Sequence, residues 1–410
     1  MKRALSDGLP SFALFGGFLA FAGLPIYIYA PPFYAETYGV SLTGIAAVLF
    51  FLRLFDAIQD PFFGWLSERI ITQRARAVAV AVAIMAASIW GLFAVAPPVN
   101  ALAWFALTIT GLFSAFSFLS ISFYAQGVTK AAALNGGHLR LAAWRESGAL
   151  LGVCIAATLP AVLAFGVNRP FAVFALIFGI LGLCAVLAMR RQWAGSVQSE
   201  TVGFRVIWND PVLRRLLILA FVNAAPVAVS STMFLFFVTD RLNAAGWEGL
   251  LLVLFFFSGA LSAPMWSRMA ARHGAKRVLL VAMITAVVTF TLTLFLGNGD
   301  VAWFALVCIT SGATIGADLT LLPAMFATRL SKIAPNGGQG FGLWSFVNKA
   351  TLAFAAIALF PILEAAGFDA TRSIQPDSAL KTLTILYALV PLALKLFAIA
   401  LLTATDMKDG

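Results

Sequence analysis

The chain has 410 residues, of which 61% are hydrophobic and only 11% charged. Soluble domains carry about a quarter charged residues, so a water-soluble fold of this length, which would have to hide this much apolar surface, is excluded. The net charge of +10 raises nucleic acid as a partner, but the cations fall between apolar runs in a pattern that belongs to membrane topology.

Apolar runs of about 20 residues span a bilayer as helix, and they recur along the whole chain. In order they cover residues 10–35, 41–66, 77–96, 101–128, 142–165, 170–189, 214–239, 247–267, 278–297, 301–327, 341–363 and 382–403, which predicts twelve spans. Met1-Lys2-Arg3 before the first run is reminiscent of a signal peptide. The run from Pro10 to Tyr34 is too long for one, and a second span follows at once, so it is read as the first membrane helix. Pro25, Pro31 and Pro32 interrupt it and predict a break. Cys154, Cys184 and Cys308 all fall inside apolar runs without metal or redox spacing and are read as packing residues.

With both termini on one side, the segments on that side hold 20 Lys and Arg residues and the opposite side four: Arg169, Arg241, Arg372 and Lys381. The positive-inside rule then places both termini in the cytoplasm, and an inner bacterial membrane is the expected location. The longest polar stretch, 190–213, joins span six to span seven and divides the chain into an N-terminal half, 1–189, and a C-terminal half, 214–410. A duplication relates them. Ala103-Trp104-Phe105-Ala106-Leu107 recurs as Ala302-Trp303-Phe304-Ala305-Leu306, Asn135-Gly136-Gly137 as Asn336-Gly337-Gly338, and Pro61 as Pro264, at offsets of 199, 201 and 203. Each repeat holds six spans and begins on the same side. An all-α membrane protein with two parallel six-helix halves and a cytoplasmic linker has the architecture of the major facilitator fold, in which substrate binds near the midplane between halves that rock. The turn Gly64-Trp65-Leu66-Ser67-Glu68-Arg69 resembles that superfamily's cytoplasmic Gly-x-Leu-x-Asp-Arg motif. A gating or helix-anchoring role for Gly64, Glu68 and Arg69 follows from the resemblance.

Ionisable side chains at membrane depth are costly and mark function by default. Six are expected there: Arg53, Asp56, Asp60, Asp318, Lys349 and Lys395. Lys395 is near enough to the end of span twelve to snorkel. Arg53, Asp56 and Asp60 stand at i, i+3 and i+7, on one helix face. The two carboxylates can offer oxygens to a small cation, or repel one another until one holds a proton; a plain Arg53–Asp56 salt bridge is the structural alternative. The repeat copy has Phe256, Gly259 and Ala263 at these positions, so helix packing alone does not require the charges. Asp318 in span ten and Lys349 in span eleven either neutralise one another or leave Lys349 to meet an anionic or hydroxyl-rich solute. Arg145 and Glu146 are placed on the cytoplasmic rim of span five.

The segment from Gly39-Val40-Ser41 through Arg53-x-x-Asp56-x-x-x-Asp60-Pro61-x-x-Gly64 resembles the glycoside–pentoside–hexuronide:cation symporter family. The resemblance is strong over spans one and two and looser elsewhere, in segments such as Ala142-Ala143-Trp144-Arg145 and Gly342-Leu343-Trp344. It implies symport of a solute with Na⁺ or H⁺, a cation site at Asp56 and Asp60, and an assisting hydroxyl in span four, matched by Ser117. The two acids that hold sugar in the family's melibiose-transporting member fall on Ala20 and Ser120, and its aromatic on Tyr124. The cation half of the pattern is present and the galactoside half is not.

Tyr27, Phe116, Ser120, Tyr124 and Trp344 are candidate pocket residues, with Asn223, Asn348 and Lys349 as polar anchors, a lining suited to an amphipathic or weakly anionic solute. Interhelical or lipid-facing packing is the ordinary alternative for each aromatic. The expected function is cation-coupled symport of a small organic solute by a monomer that carries no cofactor beyond its coupling ion. Efflux of lipophilic compounds and lysolipid movement are the alternatives on the same fold. An enzyme is not expected, since His138 and His273 are the only histidines, both assigned to cytoplasmic loops and without ligand spacing.

Overall fold

The structure, a computed structural model, describes residues 7–23, 26, 29–134, 137–193, 203–368 and 375–405. These form helices and turns, with no strand among them. Tyr27, Pro25, the Asn135-Gly136 pair, Lys2, Arg3, Arg372, Lys408 and residues 194–202 of the linker lie outside the described residues.

Eleven helices among the described residues are long and apolar enough to cross a bilayer: Leu42–Arg69, Ile71–Phe93, Ala101–Ala132, Gly137–Ala164, Pro170–Met189, Pro211–Arg241, Glu248–His273, Ala275–Phe295, Val301–Ile333, Gly338–Ala365 and Asp377–Ala404. They are spans two to twelve. Span one differs from the single helix expected over 10–35. It is a helix over Leu9–Phe21 followed by another over Ala30–Tyr38. Pro31 and Pro32 open the second piece, where the missing N–H costs nothing and the fixed φ suits the first turn. His138, expected in a loop, lies in the first turn of the span-five helix; His273 ends the span-eight helix and is exposed.

Polar side chains set several helix starts. Ser41 accepts from the Gly44 N–H at 3.1 Å at the head of span two. Asn100 accepts from the Leu102 and Ala103 N–H groups at span four. Asp210 accepts from Leu213 N–H at span seven, with Pro211 next. Each supplies an acceptor to a backbone donor that has no partner within its helix.

Span two shows why its charges are tolerated. Phe51, Phe55, Ile58 and Phe62 are exposed along one side, Ile58 by 70%. Asp56, Gln59, Asp60, Gly64, Ser67 and Glu68 are buried on the other. The helix is thus amphipathic in reverse: apolar toward lipid, polar toward protein, which spares the charges the cost of hydrocarbon.

The chain divides into two compact units. Unit one holds residues 1–208 and 327–346. Its core is an aromatic column, with Phe12 stacked on Phe123, Phe15 against Phe123 and Trp193, Phe18 against Phe178, and Phe21 against Phe174. Spans one and five cross backbone to backbone here. A Cβ on Gly148 would overlap the Ala13 carbonyl, and one on Gly152 the Gly17 carbonyl. Unit two holds residues 209–326 and 347–410. Phe237, Phe304 and Tyr387 form its aromatic centre, with Phe237 stacked on Tyr387 at 4.1 Å. Two π-helical stretches, Phe237–Arg241 and Ile385–Leu389, meet in this centre. The repeated tryptophans have diverged. Trp104 is half-buried and donates from Nε1 to the Gly91 carbonyl at 2.9 Å, whereas Trp303 is exposed.

The span-one to span-five crossing generates a prediction. Gly148→Leu forces the two backbones apart and is expected to destabilise the protein by about 1–3 kcal/mol, the usual cost of overpacking. The check is a lower thermal unfolding midpoint of the purified protein than that of Ala149→Leu on the same helix.

Candidate functional site

Three polar clusters stand out from the apolar helices. The first lies on spans two and four in unit one. Asp56 is 8% exposed, Asp60 and Ser117 are fully buried, and Gln59 lies between the two acids on the same helix. Ser117 Oγ donates to Asp56 Oδ1 at 2.6 Å, and Gln59 Nε2 donates to the same oxygen at 2.9 Å. Gln59 Oε1 in turn accepts from Ser114 Oγ at 3.0 Å. The orientation of this amide follows from its partner, because only its NH₂ end can face a carboxylate oxygen. Hydrogen bonds to an ionised acceptor are the strong kind. Asp60 follows one turn after Asp56 on span two, and the Ser117 hydroxyl reaches Asp56 from span four; carboxylates and hydroxyls are the hard oxygens that a small cation requires. The structure thus joins Asp56 to Ser117, and it adds Gln59 and Ser114. Gln59 was legible as a polar residue between two acids; Ser114 carried no signal of its own. Arg53 is half-buried on the same helix.

The second cluster lies at the C-terminal end of span two, also in unit one. Glu68 Oε1 accepts from the Gln339 N–H at 2.8 Å and Oε2 from Gln339 Nε2 at 3.0 Å. A carboxylate at the start of span eleven meets the positive end of that helix. Gly64 permits the approach: a Cβ there would stand 2.8 Å from the Gly338 carbonyl oxygen, and one on Gly342 would stand 2.9 Å from the Asp60 carbonyl oxygen. Two cations near this turn differ in burial. Arg69 is exposed and lies over the Trp65 ring at 4.4 Å. The buried cation is Arg74, 1% exposed, which donates to the Ser67 carbonyl and to Gln126 Oε1. Gln126 Nε2 extends the network to the Gln192 carbonyl. In the sequence Arg74 is one of several loop cations, and nothing there sets it apart; burial does.

Nearby, Arg145 and Glu146 are buried rather than solvated at a rim. Arg145 Nε donates to Glu146 Oε1 at 2.7 Å, Tyr124 Oη donates to the same oxygen at 2.9 Å, and the guanidinium lies over the Tyr124 ring at 3.7 Å. Tyr124, expected to line a pocket, has its hydroxyl and one face taken up by this triad. Its ring also packs 5.0 Å from Phe341. A buried ion pair needs such added bonds to offset its lost hydration.

The third cluster, in unit two, corrects the expected charge pairing. Asp318 meets Lys395, not Lys349: Lys395 Nζ lies 2.5 Å from Asp318 Oδ2 and 2.8 Å from Asn223 Oδ1. Lys395 does not snorkel; it is 7% exposed. Its position inside span twelve places the amine beside Asp318, itself 8% exposed, and pairing costs less than extension through lipid. Asn223, expected as a solute anchor, holds the lysine with its amide oxygen. Of the remaining candidates, Trp344 is buried beside Phe341, and Phe116, Ser120, Asn348 and Lys349 are half-buried. Tyr27 lies outside the described residues.

Residues 13–409 match the family described as MFS/sugar transport protein. The chain belongs to that family, within the major facilitator superfamily, and is an integral membrane transporter rather than an enzyme. Among solved structures, a bacterial homologue of the iron transporter ferroportin in its outward-facing state is similar in fold. It has a TM-score of 0.70 and 16% identity over 96% of this chain and 98% of that one. The same homologue with soaked iron matches at a TM-score of 0.69 and 14% identity, with the same coverage. No match was found among curated proteins.

Glu68 carries the prediction from this site. Glu68→Gln replaces one of the two acceptors facing Gln339 with a donor. It is expected to cost about 1–3 kcal/mol, the range for leaving a buried hydrogen-bonding group unsatisfied, read as a fall in thermal unfolding midpoint. Glu68→Asp, too short to reach both Gln339 groups, should lose a similar amount.

Proposed function

We propose that this transporter is a symporter that moves a small organic solute together with a cation, Na⁺ or H⁺, and that Asp56, Asp60 and Ser117 bind the cation. The observation that carries the reading is the hydrogen bond from Ser117 on span four to Asp56 on span two. It joins, across two helices, the hydroxyl and the acid that the resemblance to the glycoside–pentoside–hexuronide:cation symporters assigns to one site.

The physical logic is charge compensation. Two carboxylates on adjacent turns repel one another and are expensive at membrane depth. A bound Na⁺ or proton lowers that cost. A ligand shifts a conformational equilibrium only as far as it binds one conformer better than the other. Occupancy by the cation therefore favours whichever facing of the transporter holds the filled site more tightly, and solute binding acts on the same equilibrium. The N-terminal half, 1–189, is taken as the ion-binding half, with both termini cytoplasmic in a bacterial inner membrane.

Thermal unfolding of the purified transporter tests the ion site without knowledge of the solute. Stability is expected to rise with added Na⁺ at constant ionic strength, or to depend on pH in the absence of Na⁺. Asp56→Asn and Asp60→Asn should each abolish that response. Ser117→Ala removes a hydrogen bond to a charged group and should weaken the apparent ion affinity about tenfold or more. An undiminished ion response in both aspartate variants would overturn the proposal.

A further inference from the structure

The cluster in unit two has hydrogen-bonding capacity that its own residues do not use. Asp318 on span ten, Asn223 on span seven and Lys395 on span twelve are 8%, 5% and 7% exposed. One ammonium bridges two acceptors, Asp318 Oδ2 and Asn223 Oδ1. Both side chains are thereby oriented, and each is left with one polar end. Asp318 Oδ1 is buried and accepts no hydrogen bond. The Asn223 amide nitrogen has no partner among the described residues, since its only side-chain bond is the one through Oδ1. A pair that served packing alone would be expected to satisfy both carboxylate oxygens, because an unsatisfied buried acceptor is costly.

We propose that Asp318 Oδ1 and Asn223 Nδ2 form a subsite for an uncharged hydroxyl group of the transported solute, with Lys395 as the residue that positions both. The charge balance selects the ligand. Asp318 and Lys395 cancel, so the site has no net charge to offer. A cationic group would compete with an ammonium already seated on the same carboxylate, and an anionic group would face that carboxylate's open oxygen. A hydroxyl donates its proton to Oδ1 and accepts from Nδ2, which uses both unspent groups at once.

The surrounding helices can open at this point. Pro226 lies three residues beyond Asn223, Pro323 five beyond Asp318, and Pro391 four before Lys395. Pro226 and Pro323 lie inside their helices and each removes a backbone hydrogen bond near the cluster, whereas Pro391 follows the π-helical stretch of span twelve at the start of its α-helical part. The three side chains are buried in this structure, and access to them as the transporter changes its facing would come through bending at these prolines. The inference rests on the solute-transport role and narrows the solute from an open class to one that presents a neutral hydroxyl to the second half.

The test uses the full-length purified protein and probes that share a carbon skeleton but differ in charge: D-glucose and D-mannitol, the anions D-glucuronate and D-gluconate, and the cation D-glucosamine. Thermal unfolding is titrated with each. A neutral probe is expected to stabilise the protein more than its charged counterparts. Asn223→Ala leaves the ion pair in place and should weaken binding of the neutral probe about tenfold, the effect of losing roughly 1.4 kcal/mol. Asp318→Asn should weaken it at least as much; if it does not yield folded protein, Asn223→Ala decides. Preferential stabilisation by a charged probe, no stabilisation by either neutral one, or neutral-probe binding that Asn223→Ala leaves unchanged would overturn the subsite, the last by showing that the cluster holds water only. Failure here is separable from failure of the symport proposal. The ion response belongs to Asp56 and Asp60 in the other unit, and Asn223→Ala should leave it intact.

Discussion

A carboxylate carried to membrane depth loses the water that stabilises its charge, and the protein has to return hydrogen-bond donors or a counter-charge in its place. That constraint organises this structure. Asp56 receives a serine hydroxyl and a glutamine amide. Glu68 receives the backbone and side chain of Gln339. Glu146 receives Arg145 and Tyr124. Asp318 receives Lys395. In each case the donors include a residue from another helix or from the next turn of backbone, so the same bonds that solvate the acid also tie helices together. The lipid-facing rows of Phe and Ile on span two are the other side of this arrangement: they keep the acids turned inward.

The four acids are nevertheless compensated in different ways, and the differences bear on function. Glu68 and Glu146 are saturated by tight local partners and act as fixed ties. Asp56 accepts a hydroxyl from span four and an amide from its own helix. Asp318 is neutralised on one oxygen and open on the other.

Glycine supplies the complementary device. Where helices must approach backbone to backbone, as Gly148 does against Ala13 or Gly64 against Gly338, the absence of a side chain lets polar groups on neighbouring helices come within reach of one another. The bond from Gln339 to Glu68 depends on the Gly64 contact four residues earlier. Dispersion across such close contacts contributes as well, since lipid offers no hydrophobic drive to hold helices together.

Spans two to twelve were legible because hydrocarbon imposes a length and a composition on any helix that crosses it. The reverse amphipathicity of span two was legible too, since helical spacing puts Asp56 and Asp60 on one face whatever surrounds them. Partner choice was not. Lys395 pairs with Asp318 although Lys349 is nearer in sequence, because which cation meets an acid depends on how spans seven, ten and twelve pack. Arg74 rather than Arg69 is the buried cation for the same reason: five residues of chain direction decide which one points into the unit. That a helix of span one would begin at Ala30 was not legible. The amino-acid sequence alone determined the membrane class and the helix that bears the acids, both set by local hydropathy and periodicity. Only tertiary structure decided which side chains meet, because a hydrogen bond requires positions within about 3 Å, and no local rule places residues from different helices that closely.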